Sequence, residues 1–178
     1  MNSQSALSNV HSKGLYGDYE GKNEDNLLKI SERKNLLITQ IVQYQNSKIL
    51  LDSIDIDGLR LKNEALSVTS NNDTRILWNG PKNWLLVSTK KNLFKDILDV
   101  FNEVDFAITD LSYSKAIIEI EGHQTKEVLK KGCPFNFNTL KKNNSINSTY
   151  NGIALTIDML NDSPEKVRLF ALRSFGES

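Results

Sequence analysis

Apolar side chains recur every fourth position in one stretch of the chain and every second position in several others. Leu93, Ile97 and Phe101 lie four apart, with Phe94 and Leu98 beside them and Lys95, Asp96, Asp99 and Asn102 on the other side. This spacing predicts a helix over 92–103, with Asn92 as its N-cap. Residues 35–43 (NLLITQIVQ) are rich in β-branched side chains and predict a strand. Two short apolar runs, 74–79 and 84–89, predict the arms of a hairpin turned by Gly80-Pro81-Lys82-Asn83. A strand follows over 105–111. In 115–121 (KAIIEIE), Ile118 and Ile120 face one way and Glu119 and Glu121 the other, as in a half-buried antiparallel strand. A short helix is predicted over 123–131, with Val128 and Leu129 inside, Gly132 as a left-handed cap and Pro134 as the stop. Residues 135–148 read as an Asn-rich loop. Strands at 152–159 and 167–173 are joined by a turn at Asn161-Asp162-Ser163-Pro164. Residues 46–58 suit either a short helix or a strand.

Residues 1–26 hold neither period and contain Gly14, Gly17 and Gly21, so they read as a flexible arm that could order on a partner. Residues 27–178 read as one domain that could comprise two lobes. Strands mixed irregularly with a few helices predict an α+β fold with mixed or antiparallel sheets, not a βαβ repeat.

Charge narrows the function classes. The 22 basic and 22 acidic residues leave no net charge, whereas nucleic-acid binders carry a basic excess or stripe. The pairs Lys90-Lys91, Lys130-Lys131 and Lys141-Lys142 read as solvated faces, and no nucleic-acid partner is expected. No apolar run is long enough for a membrane span, and the start of the chain shows no signal-peptide pattern. With the single cysteine, Cys133, this leads to the expectation of a cytoplasmic protein. The sequons at Asn72, Asn143 and Asn147 then read as chance in an Asn-rich chain.

A search for chemistry gives weak candidates. P-loop, GxGxxG and GxSxG patterns are absent, and His11 and His123 are the only histidines, too few and too far apart for a zinc site with Cys133. Residues 53–64 imitate a calcium loop. Asp55, Asp57, Gly58 and Glu64 occupy ligand and glycine positions, but Ser53 stands where the first carboxylate belongs and Arg60 where an apolar residue belongs. A plain acidic turn is the stronger reading. Cys133 after Lys130-Lys131-Gly132 could be a thiol activated by lysine or a small buried filler, the latter favoured. Asp110 could bind a substrate amine or hold its loop, the latter favoured. Trp78 and Trp84 flank the hairpin turn and suit either a core or an interface. No acid, base and nucleophile assemble, so no catalytic residue is assigned.

Three segments taken together say more: LWNGPKNWLLVS (77–88), ITDLSYSKAIIEIEGHQTKEVLKKGCPFNFNTL (108–140) and RLFALRSF (168–175). Over about residues 30–175 the chain resembles the gamma subunit of heterotetrameric sarcosine oxidase. The resemblance is carried by Gly80, Pro81, Trp84 and Leu85, then Asp110 and Ser112, Gly122, Gly132, Cys133 and Pro134, and finally Arg173, Ser174 and Phe175. It implies a fold similar to the N-terminal region of the folate-binding aminomethyltransferase. It also implies a place in an oxidoreductase acting on CH–NH donors, whose assembled complex demethylates sarcosine to glycine. By the same resemblance FAD, FMN, NAD, tetrahydrofolate and zinc sit on the partner alpha, beta and delta subunits. The gamma subunit holds no cofactor, packs against alpha and stabilises it. Trp84 and the Arg173-Ser174-Phe175 end are the candidate partner contacts. The alternative is a stand-alone folate-binding protein of the aminomethyltransferase-like group. Lys131-Gly132-Cys133 imitates part of a signature in that group, but Pro134-Phe135-Asn136 follows and no Gly-Gln-Glu appears.

Overall fold

The computed structural model describes residues 5–8, 10, 14–16 and 27–176. Among these residues the chain forms eleven strands and two α-helices. It divides into two compact units, one comprising residues 1–34 and 114–178 and the other residues 35–113. The second unit is inserted in the sequence of the first.

The inserted unit is built on a five-stranded antiparallel sheet. Its strands are β3 (Leu37–Gln43), β4 (Val68–Ser70), β5 (Thr74–Gly80), β6 (Asn83–Ser88) and β7 (Phe106–Asp110), in the spatial order β4-β5-β6-β3-β7. The β5–β6 hairpin turns at Pro81-Lys82, where Pro81 fixes the first corner and Lys82 takes a positive φ of 56°. Helix α1 (Leu93–Val100) covers one face of the sheet. Leu93, Ile97 and Phe101 meet Leu37, Ile41, Trp84, Leu86 and Phe106 in one buried cluster. Each such side chain contributes about 1.5–3 kcal/mol by leaving water. The helix is shorter than the apolar period predicts. Asn92 makes no side-chain capping bond and is itself helical, and the chain turns extended at Phe101. Asn102 closes the exit instead, its Oδ1 accepting from the amides of Val104 and Asp105 at 3.1 and 2.8 Å. The ambiguous segment 46–58 is mostly irregular, with a single 3-10 turn at Leu51–Ser53. Ile54, Ile56 and Leu61 fold back into the same cluster.

The other unit carries a six-stranded antiparallel sheet in the order β1-β2-β8-β11-β10-β9. Its strands are β1 (Gly14–Tyr16), β2 (Leu28–Glu32), β8 (Lys115–Glu121), β9 (Ser145–Tyr150), β10 (Ile153–Asp162) and β11 (Glu165–Leu172). The arm expected over 1–26 lies mostly outside the described residues. Its segment Gly14–Tyr16 is an edge strand paired with β2. Helix α2 (Thr125–Lys130) follows β8 and buries Thr125 and Leu129, leaving Val128 half-buried.

Three expectations are corrected in this unit. Gly132 is not a left-handed cap. It is needed for space, because a Cβ there would sit 2.7 Å from the ring of Tyr150. Part of the Asn-rich loop is strand β9, a polar edge strand that gains its amide partners from β10. Finally, β8 is not half-buried. It lies between β2 and β11, and Glu119 is 6% exposed.

Candidate functional site

Strand register places a charged row on one face of the six-stranded sheet. Ser31 of β2, Glu119 of β8, Arg168 of β11, Asp158 of β10 and Ser145 of β9 are successive cross-strand partners, so their side chains stand on the same face. Arg168 donates from Nε at 2.9 Å and from Nη2 at 2.7 Å to Oε1 of Glu119. Arg33 approaches the same oxygen at 3.4 Å, and Lys166 lies 3.6 Å from Oε2. Lys166 also reaches Glu121 at 2.9 Å. The carboxylate is therefore enclosed by cations. A group held this way ties neighbouring strands together.

A second cluster ties the calcium-like loop to the hairpin of the inserted unit. Asp57 sits in a left-handed turn with φ 54°, followed by Gly58 at 77°. Its carboxylate accepts from Lys90 Nζ at 2.8 and 3.1 Å and from Thr74 Oγ1 at 2.7 Å. Thr74 in turn shares a buried hydrogen bond of 2.8 Å with Ser88, its partner in the ladder. The Lys90 hydrogen bond, then those of Thr74 and Asn71, hold the Asp57 carboxyl below its usual range, and Asp57 raises Lys90 in return. Asp55 accepts from the Gly58 amide at 2.9 Å, and Arg60 bonds the carbonyl of Asp52. The acidic residues of this loop serve the turn and its lysine.

The remaining candidates fall into place singly. Asp110 accepts from the amide of Ser112 at 2.9 Å and from its hydroxyl, and that hydroxyl oxygen accepts from the amide of Ile38 at 3.0 Å. Asp110 thus holds the end of β7 to β3. Cys133 is buried, and burial pushes its thiol up, away from the thiolate a nucleophile needs. Lys130 is engaged with Glu127 at 2.6 Å. His123 is exposed, and His11 lies outside the described residues.

Of the expected partner contacts, Trp84 is misplaced. It is 1% exposed, lies in the core of the inserted unit, and donates from Nε1 to the carbonyl of Lys62 at 2.7 Å. An apolar hairpin flank is the same signal for a core as for an interface, and here the core won. Arg173, Ser174 and Phe175 form a 3-10 turn directly after β11, with Phe175 40% exposed. An open cleft of about 460 Å³ lies in the inserted unit, with Leu50, Leu51 and Leu61 against Asp52, Lys62 and Glu64. Its lining contains no histidine or cysteine.

Sequence reasoning missed the Glu119–Arg168 pairing. Its signal was present as two period-2 strands of opposite charge, Glu119 and Glu121 in one and Lys166 and Arg168 in the other. Only the strand order makes them partners.

No family model matches the chain, and no curated protein matches it. Among solved structures, it is similar to a chain of the heterotetrameric sarcosine oxidase from Corynebacterium sp. U-96 in complex with pyrrole 2-carboxylate. The TM-score is 0.75 at 19% identity, over 86% of this chain and 80% of that one. The two chains share a fold over most of their lengths. No described helix is long and apolar enough to cross a membrane.

Proposed function

We propose that this chain is a gamma-type subunit of a heterotetrameric sarcosine oxidase, packing against and stabilising the alpha subunit and contributing no catalytic group. The observation that carries this reading is the fold it shares with a chain of such an enzyme over 86% of its length. The ordered segments around Gly80-Pro81, Gly132-Cys133-Pro134 and Arg173-Ser174-Phe175 point the same way. The non-catalytic role is supported by the pairing of Glu119 and Asp57 with cations and by the buried thiol of Cys133. On this reading FAD, FMN, NAD, tetrahydrofolate and zinc belong to the alpha, beta and delta subunits, in the cytoplasm. The complex oxidatively demethylates sarcosine to glycine.

Native mass spectrometry of this chain co-expressed with the flavoprotein subunits of its own genome tests the reading. A flavin-bearing complex with one copy of this chain is expected. A chain that stays alone overturns it, and folate titration of that isolated chain then tests the stand-alone folate-binding alternative. The stabilising role has its own check: alpha and beta prepared without this chain should melt earlier, and unchanged stability and activity would remove that role.

A further inference from the structure

We propose that Lys115, Leu172 and Phe175 form the docking surface for the partner subunit, and that the partner presents there a carboxylate set among apolar side chains. This rests on the subunit reading above and gives its contact a place and a chemistry.

Lys115 and Leu172 are direct partners in the β8–β11 ladder, so their side chains rise from the same face about 5 Å apart at Cβ. The turn carrying Phe175 follows Leu172 at once and is pinned to the start of β8, the amide of Arg173 donating to the carbonyl of Ser114 at 2.9 Å. The turn carrying Phe175 therefore lies at the same corner of the sheet as Lys115 and Leu172. Leu172 is 46% and Phe175 40% exposed. The next pair along the same face, Ile117 and Phe170, is buried at 4% and 1%. Leu172 is thus the exposed end of an apolar strip whose inner pair is buried.

Charge selects the occupant. Further along this face Glu119 meets Arg168, Arg33 and Lys166, and Glu121 meets Lys166. Lys115 is half-buried, yet no carboxylate among the described residues pairs with it. Desolvation pulls its ammonium below the ordinary lysine value. A cation half-removed from water with no counter-ion among the described residues, beside exposed Leu and Phe, is stabilised by an approaching surface that brings a carboxylate and apolar cover together. A basic partner surface is repelled.

The experiment uses the full chain co-expressed with the flavoprotein subunits and measures assembly by native mass spectrometry and affinity by titration. Lys115→Glu, and separately the pair Leu172→Ser with Phe175→Ser, should each weaken association about tenfold or more, while Lys115→Arg keeps it. Circular dichroism and melting of the isolated variants should stay close to wild type, because Leu172 and Phe175 are exposed and Lys115 is the first residue of its strand. As a check that needs no variant, the amine of Lys115 should acylate readily in the free chain and be protected in the complex. If wild type assembles but the variants bind as tightly, or Lys115 labels equally in both states, the docking inference falls and the subunit reading stands. If wild type does not assemble at all, both fall.

Discussion

Glu119 and Arg168 face each other across β8 and β11, and the guanidinium reaches the single oxygen Oε1 twice, from Nε at 2.9 Å and Nη2 at 2.7 Å. The side chains are only 7% and 12% exposed. On the far side of Arg168 the register brings Asp158 of β10, itself fully buried. One arginine therefore stands between two carboxylates removed from water. Arg168→Ala removes the nearest cation of Glu119 and leaves Arg33 and Lys166 at 3.4 and 3.6 Å, which should cost up to about 3–5 kcal/mol. Replacing Glu119 and Arg168 together by Met should cost less than the sum of the single changes, because neither member of the pair is left without the other. Urea midpoints of the two single variants and the double variant test this, and strict additivity would show that the pair is not coupled. Arg168→Lys should recover only part of the loss, since an ammonium lacks the planar fork.

Asp57 links the loop at 55–60 to the hairpin through Lys90 and Thr74, and its carboxyl is depressed chiefly by the Lys90 hydrogen bond. A carboxyl depressed in the folded state contributes stability that is fully present above its unfolded value of about 4 and is lost as pH falls through the folded value. Asp57→Asn keeps the left-handed backbone accessible, as Asn tolerates positive φ, but removes the charge. The gap in urea midpoint between wild type and Asp57→Asn should stay constant from about pH 7 to pH 5 and close as pH falls below about 4. A gap unchanged into strong acid would mean that another group carries the linkage.

The legible parts of this fold were those where one local period decided the matter. The α1 stripe of Leu93, Ile97 and Phe101 and the Gly80–Asn83 hairpin turn appeared as the pattern predicts, because a single face of each had to meet the core. Strand β9 was illegible because SINSTY has the composition of a loop. Its pairing with β10 supplies what its side chains do not. Glu119 was assigned to solvent because alternation alone cannot tell a water-facing carboxylate from one met by an arginine on the next strand. Gly132 was read by its position after a helix, while its real constraint is the ring of Tyr150, eighteen positions along the chain.

Trp84 separates a core role from an interface role most sharply. Its ring lies between Ile41 and Trp78 in the ladder, and its indole N–H holds the carbonyl of Lys62. Trp84→Phe should lose that hydrogen bond and some packing, about 1–3 kcal/mol in all. Trp84→Ala should lose about 3–5 kcal/mol through the cavity it leaves. Both losses should appear in the isolated chain, read from its urea midpoint. Binding of Trp84→Phe to the partner subunits, measured well below its melting temperature, should then match wild type, because the ring offers no surface to a partner. A variant that melts like wild type yet binds weakly would return Trp84 to the interface and require the hairpin to open on assembly.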